Sequence, residues 1–260
     1  MKSKTPPNEY MKWIHKSANN YTIGRRTDPY IESQIHAKLR GASSLLNIGA
    51  GTGSYEPSGM MVAAVEPSEA KVSQRYNSAI PVWQAHAECL PFEDECFSHS
   101  MTILSMHHWK NRKKAFAEIK RVTRDRFVAV TWDPDSAPFW LSRDYFPEIH
   151  DIDKSIYPKL SEFEDSFKNV GVSVLNIPAN CADGFLAAYW KRPEAYLDEL
   201  VRANISTFSK ISDYSKGFAQ LQNDIHSGKW ESRNKELSEI EFFDAGYRLI
   251  TVDLSSGNAE

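Results

Sequence analysis

Beyond residue 43, short apolar runs alternate with amphipathic stretches. Ser44 to Ile48 and Met61 to Val65 are almost uninterrupted apolar runs of strand length, the pattern of a strand covered on both faces. Pro81 to Ala85 is a third, weaker strand. Phe97 to Met106, Arg126 to Thr131, Val172 to Ile177 and Gly246 to Leu254 complete the set. Helical spacing fills the gaps. Asp28-Pro29 supplies an N-cap and a first-turn proline, and Ile31, Ile35 and Leu39 follow on one stripe up to Gly41. Ser68 can cap a helix through Arg75. Lys110 to Val122 places Ala115, Phe116, Ile119 and Val122 at helical period, and Phe163 to Val170 reads as a further helix. At the N-terminus, residues 1–7 read as loose, Glu9 to Ser17 as a short helix, and Asn19 to Thr27 as a polar loop. Residues 135–160, rich in Pro, Asp and aromatics, read as a lid or connecting loop. Phe185 to Phe208 is aromatic and amphipathic, and helical stretches continue to about residue 243 before the last strand.

Strand and helix alternating in this way predict an α/β fold, a doubly wound, mostly parallel sheet with right-handed crossovers. In such sheets a ligand sits beyond the carboxyl ends of the strands, where strand order reverses. Asn47, Glu66, residues 86–88, Ser105 to His108 and Asp133 all fall at or just past predicted strand ends, so they are expected on one rim.

The composition narrows the partners. The 260 residues are 41% hydrophobic and 25% charged, values of a globular protein, and the net charge of -3 gives no overall field for nucleic acid or an anionic membrane. The basic residues from Lys110 to Lys114 and from Lys120 to Arg126 read as a solvated helix face. Cys89, Cys96 and Cys181 have neither metal nor redox spacing and read as reduced thiols. Met1 to Asn8 is polar, and no apolar run is long enough to span a membrane. A cytoplasmic protein with no metal, no nucleic acid and no membrane partner is the expectation.

The chemistry gathers on Asn47-Ile48-Gly49-Ala50-Gly51-Thr52-Gly53, an apolar strand running into three alternate glycines. Glycine lets the backbone turn sharply and approach a ligand closely. A dinucleotide turn would need a further glycine where Ser54 stands, which argues against a nicotinamide oxidoreductase. Glu66, at the end of the second strand, can accept both hydroxyls of a ribose. The Ala87-Glu88 loop can offer backbone N–H groups to a planar ring.

These residues, with Val65-Glu66-Pro67-Ser68, Ala87-Glu88-Cys89-Leu90-Pro91-Phe92, Leu104-Ser105-Met106-His107-His108-Trp109 and the helix end Glu118-Ile119-Lys120-Arg121-Val122, resemble the class I S-adenosylmethionine-dependent methyltransferases, in their small-molecule, type 11-like branch. The resemblance implies a Rossmann-like seven-stranded sheet with an antiparallel last strand and S-adenosyl-L-methionine as cofactor. It implies a core of residues 1–178 and 245–260 with an N-terminal helical lid, and a helical cap insertion of residues 179–244. It places Gly49, Ala50 and Gly51 against the methionine part of the cofactor, Glu66 and Pro67 at the ribose, and His86, Ala87 and Glu88 at the adenine. Ser105 contributes backbone near the methionine amino group. Beside the resemblance, the loop with Tyr21, Arg25 and Arg26 can fold over the cofactor, where an arginine, Arg25 or Arg26, would pair with the methionine carboxylate. Two positions depart from the family pattern: Asn47 and His86 stand where an aspartate is usual.

Methyl transfer from a sulfonium is an in-line displacement that depends mainly on alignment and water exclusion. His108, and after it His107, are the candidate bases where the acceptor meets the sulfonium, with Asp133 as a second rim candidate. Trp132, Phe139, Trp140, Tyr145, Phe146, Phe185, Tyr189, Trp190 and Tyr196 are candidates for an aromatic pocket wall. Such a wall suits a small-molecule methyl acceptor, modified at O, N or C, better than nucleic acid. A homodimer is compatible with the chain, and a non-catalytic S-adenosylmethionine-binding protein is the alternative function.

Overall fold

A computed structural model describes residues 25–75 and 79–255. The readings made for Glu9 to Ser17, for Tyr21 and for the N-terminal lid lie outside these residues. The first described helix is α1 (Pro29–Lys38), where Asp28 accepts from the amides of Tyr30 and Ile31 and Pro29 occupies the first turn. It is followed by β1 (Ser44–Ile48), β2 (Met61–Val65), the single turn α2 (Glu69–Val72), β3 (Val82–Trp83), β4 (Phe97–Ile103), α3 (Arg112–Val122) and β5 (Thr123–Trp132). After these come α4 (Trp140–Asp144), α5 (Pro147–Ile156), α6 (Leu160–Ser166), β6 (Val170–Val174) and β7 (Ile177–Pro178). Three helical segments, α7 (Glu199–Ala203), α8 (Ser215–His226) and α9 (Lys229–Arg233), precede β8 (Phe242–Phe243) and β9 (Tyr247–Asp253), with short 3-10 turns between.

The main sheet has seven strands in the order β3-β2-β1-β4-β5-β9-β6. The first four junctions are parallel, and β9 runs antiparallel to both β5 and β6. Chain order proceeds outward from β1 to β3 and then returns to β4 on the other side of β1, so strand order reverses between β1 and β4. Alternate side chains feed two cores, as the two-residue period of a strand requires. Leu45, Val128 and Val130 enter one cluster, while Leu46, Ile48, Phe127 and Ala129 enter the other with Ala115, Phe116, Ile119 and Val122 of α3. All of β1 is buried, which explains its unbroken apolar run.

Three details differ from the sequence reading. Residues 135–160 hold α4 and α5 rather than a loop. These helices are too short to persist alone and owe their stability to packing, with Pro147 opening α5 and Trp140, Leu141 and Ile149 buried. Val172 to Ile177 is two pieces, β6 at the edge of the main sheet and β7 paired with β8. Asp133 starts a turn: its carboxylate accepts from the amide of Asp135 and lies 3.5 Å from Arg248. The long segment between β7 and β8 leaves and returns through that two-stranded ladder, reinforced by the amide of Ala179 donating to Glu241 O. Its buried residues Trp190, Tyr196, Leu221 and Trp230 join the same cluster as Leu45 and Val128. Among the described residues no helix is long and apolar enough to cross a membrane.

Candidate active site

The glycine turn leaves β1 with Gly49, Gly51 and Gly53 all at positive φ (69°, 56° and 90°). A Cβ on Gly49 would fall 2.3 Å from Ser105 Oγ, so close approach as well as backbone angle excludes a side chain there. A Cβ on Gly51 would meet nothing within 4 Å, because the turn there borders open space. The turn is tied down from β2. The amides of Gly49 and Ala50 donate to Val65 O, and the amide of Gly51 donates to Glu66 Oε2 at 2.8 Å. Glu66 Oε1 accepts from the amide of Ser68 at 2.9 Å. The carboxylate is buried, and each oxygen keeps a second lone pair for another donor.

One cavity of about 360 Å³ lies at the carboxyl ends of β1, β2 and β4. Gly49, Ala50, Gly51, Glu66, Pro67, His86, Ala87, Glu88, Ser105, Asn47, Arg25, His107 and His108 all line it. Glu88 is fixed at its edge, accepting from the amides of Lys110 and Asn111 just before α3. Ser105 is buried, with its hydroxyl 2.7 Å from Thr102 Oγ1 and donating to Ile48 O. Two cavity residues without glycine's freedom, Tyr55 and Leu104, also hold positive φ (66° and 48°), strain of the kind that concentrates at binding sites. Arg25 reaches the cavity in a salt bridge with Asp183, whose Oδ2 also accepts from the Tyr55 hydroxyl at 2.9 Å.

The aromatic wall is largely a correction. Trp132, Phe139, Trp140, Tyr145, Phe146, Trp190 and Tyr196 are buried in the core, and Tyr189 packs against it. Of the nine, only Phe185 borders the main cavity. Indole groups that would have been costly to bury unpaired are satisfied internally: Trp140 Nε1 donates to Trp190 O and Trp190 Nε1 to Ile177 O. The cavity instead takes Tyr157, Tyr247 and Trp109, and the polar residues Asp153, Asn204 and Thr207. Asp153, Asn204 and Thr207 lie in segments without a motif, and only the topology brings them to the rim. A burial pattern could have flagged Asp153, an acid on the inward stripe of α5 beside Ile149.

The two histidines sit on the 3-10 turn after β4, with ring centroids 4.0 Å apart, and the His107 ring lies 4.6 Å from that of Tyr157. Burial pushes the His107 pKa well below its ordinary value, and His108, Lys210 and Lys71 push in the same direction. His108 is exposed by area, but that surface borders the cavity. Desolvation by the surrounding protein, with Lys71 and Lys210 nearby, lowers its pKa to about 4. Both imidazoles are therefore neutral at pH 7. Asp153 accepts from the Thr207 hydroxyl at 2.8 Å, and burial raises its pKa to about 6 against the opposing pull of that bond and Lys210.

The cavity has polar atoms awaiting partners. Thr52 Oγ1, His107 Nδ1 and Asn204 Oδ1 are buried with no hydrogen-bond partner among the described residues. A ligand with an adenosyl ribose and an amino-acid tail would meet an anionic oxygen pair at Glu66, backbone at residues 87 and 88, and polar groups at the opposite wall. The donors and acceptors present fit such a ligand. Among the described residues, no group of three or more His, Cys, Asp or Glu is placed to hold a metal ion.

A mostly parallel sheet with this strand order and an antiparallel β9, a glycine turn after β1 and an acid after β2 define the class I methyltransferase architecture, and residues 46–128 match the methyltransferase domain family. The chain belongs to the class I S-adenosylmethionine-dependent methyltransferases, and S-adenosyl-L-methionine is its cofactor. It is 32% identical to a protein of Anabaena variabilis ATCC 29413 assigned as a methyltransferase of an antibiotic biosynthesis pathway, with a TM-score of 0.80 over 88% of this chain and 98% of that one. An S-adenosylmethionine-dependent methyltransferase of Thermotoga maritima shares the fold at 15% identity and a TM-score of 0.53, covering 95% of each chain. The Haemonchus contortus phosphoethanolamine N-methyltransferase 2, solved with S-adenosylhomocysteine, shares it at 14% identity and a TM-score of 0.51, covering 85% of this chain and 52% of that one. No curated protein sequence matches the chain.

Proposed function

We propose that the enzyme methylates a small organic acceptor held between the glycine turn and the wall formed by His107, His108, Asp153 and Thr207. The observation that carries this reading is that the glycine turn and Glu66 share one cavity with two neutral imidazoles, Asp153 and Thr207. Its volume of about 360 Å³ lies within the range of small-molecule sites, roughly 300–1,000 Å³. The cofactor supplies an electrophilic methyl group on a sulfonium.

The protein's part is binding, orientation and proton handling. Glu66 accepts the ribose hydroxyls, with Pro67 beside it, while His86, Ala87 and Glu88 border the adenine. Gly49, Ala50, Gly51, Asn47 and Ser105 border the methionine portion, and Arg25, steadied by Asp183, faces its carboxylate. His108 offers a neutral ring nitrogen to the acceptor, with the His107 ring tilted against it. A pKa of about 4 makes it a weak base. It therefore suits an acceptor whose proton is acidic, or is released once the new bond forms. Residues 179–244 form a cap that closes the acceptor side through Asn204 and Thr207. The free thiols Cys89, Cys96 and Cys181 are in keeping with a reducing cytoplasm.

The test is calorimetric titration with S-adenosylmethionine and S-adenosylhomocysteine, then incubation with metabolite extracts and methyl-labelled cofactor. Micromolar binding and a labelled low-molecular-weight product are expected. Label found only in added protein or nucleic acid would overturn the small-molecule reading.

A further inference from the structure

Beneath the glycine turn lies an ion pair that the transfer chemistry does not explain. The side chains of Glu56 and Arg75 are each only 3% exposed, and Arg75 Nη2 donates to both carboxylate oxygens of Glu56, at 2.7 and 2.6 Å. Arg75 Nη1 also reaches Gly51 O at 3.4 Å. A Cβ on Gly53 would lie 2.8 Å from Glu56 Oε2, so the turn is shaped around this pair. Packing alone gives little reason for it, since buried ion pairs seldom stabilise more than apolar residues of the same volume.

The pair has one further partner, and that partner lines the cavity. Asn47 Nδ2 donates to Glu56 Oε1 at 2.9 Å. A carboxylate only accepts, so the amide nitrogen must face Glu56 and Asn47 Oδ1 must face away from it. No donor among the described residues satisfies that oxygen. A second carboxylate at position 47 would stand within hydrogen-bond range of Glu56, where two like charges cannot both ionise freely. Here, then, an ionised acid behind an amide replaces an acid at the cavity surface.

We propose that Glu56, held by Arg75, is a positioning residue that locks the Asn47 amide with its oxygen toward the cavity, where it accepts from the ammonium of the cofactor's methionine portion. The donation from Nδ2 to an anion polarises the amide and strengthens Oδ1 as an acceptor. This inference rests on the cofactor placement proposed above.

Calorimetry with two probes separates the roles. S-Adenosylhomocysteine carries the ammonium, and 5′-methylthioadenosine lacks it. Asn47→Leu keeps the branched shape and, at the ion pair, removes only the Asn47 donor to Glu56, leaving both members in place. It should weaken S-adenosylhomocysteine about tenfold to a hundredfold, the range for a hydrogen bond to a charged group, and leave methylthioadenosine within about twofold. Asn47→Asp alone should bind S-adenosylhomocysteine poorly, because of repulsion from Glu56. The double variant N47D/E56Q keeps a single carboxylate in the cluster, removes the repulsion, and should restore S-adenosylhomocysteine binding. If Asn47→Leu does not fold, Asn47→Ser and the double variant carry the same comparison. Equal weakening of both probes, an unchanged S-adenosylhomocysteine affinity, or no recovery in the double variant would overturn the proposal. Wild-type protein that binds neither probe would overturn the underlying cofactor placement instead.

Discussion

Glu66 anchors the glycine turn and is proposed to hold the ribose, and a substitution there should expose both tasks. Its carboxylate is 4% exposed and accepts from the backbone of Gly51 and Ser68 at 2.8 and 2.9 Å. Glu66→Ala removes both acceptors and leaves the Gly51 amide without its partner. Bonds to a charged group contribute roughly 1.5–3 kcal/mol each, and water entering the cavity can re-solvate the amide, so a net loss of about 3 kcal/mol is expected. In a protein of this size that lowers Tm by about 6–12 °C. Glu66→Gln retains one acceptor oxygen but turns a donor toward an amide, so its loss should be about half as large. Thermal unfolding of the ligand-free variants measures the structural task. Calorimetry with S-adenosylhomocysteine measures the other, and both variants should bind at least tenfold more weakly because neither presents an ionised pair of oxygens to the ribose. A ligand-free Glu66→Ala whose Tm stays within about 2 °C of wild type would refute the anchoring argument. Unchanged affinity in Glu66→Gln would refute the ribose contact.

Gly49→Ala should abolish cofactor binding and lower Tm, because the new methyl meets the Ser105 hydroxyl at 2.3 Å in a positive-φ backbone; Gly49→Ala combined with Ser105→Gly should recover part of the stability but not all of it. Asp183→Asn should loosen Arg25 and weaken S-adenosylhomocysteine more than methylthioadenosine, read by calorimetry, since Asp183 anchors the arginine and Tyr55. The acid dependence of stability has opposing contributions from the two titrating cavity groups. The His108 pKa drops from 6.5 to about 4 on folding, so the unfolded chain binds more protons between those values and stability falls as pH drops through that window. Asp153 rises from 3.8 to about 6, so its contribution is largest at low pH and is lost as pH rises through 6. Urea midpoints from pH 4 to 7 should fall less steeply toward acid in His108→Gln and more steeply in Asp153→Asn; identical slopes in all three proteins would rule out both assignments.

The donor side of the site was legible because its chemistry is local. A strand, a glycine turn and an acid at the next strand end are contiguous words in the sequence, and pairing between β1 and β2 brings Glu66 to Gly51. The acceptor side was not, because Asp153, Asn204 and Thr207 come from short helical segments that only packing orders. Composition misled twice there. Pro, Asp and aromatic residues from 135 to 160 suggested a loop but form α4 and α5, and most of the supposed aromatic wall fills the core that supports them. Glu56 was passed over for a different reason. It sits in a turn with no periodicity, and its partner Arg75 is nineteen residues away, beyond the end of a one-turn helix.

The charge distribution suits the proposal that one cavity holds both reactants. Glu66 lies at its surface on the side of the glycine turn, where a cationic sulfonium ligand gains from it, while Glu56 behind Asn47 is balanced by Arg75. Toward the histidines the sign changes: Lys210 and Lys71 lower the pKa of both imidazoles. A charged imidazolium there would repel the sulfonium and could not take up a proton. Kept neutral, the pair leaves a lone pair available to the acceptor and adds no positive charge beside the reacting methyl group. Burial first, and then the lysines, favour the neutral imidazoles; Lys71 lines the cavity and Lys210 acts from outside it. Replacing Lys210, which is exposed and does not line the cavity, by Met should raise the His108 pKa, a shift that NMR titration of the imidazole would detect; no movement would mean that burial and Lys71 keep the ring neutral without it.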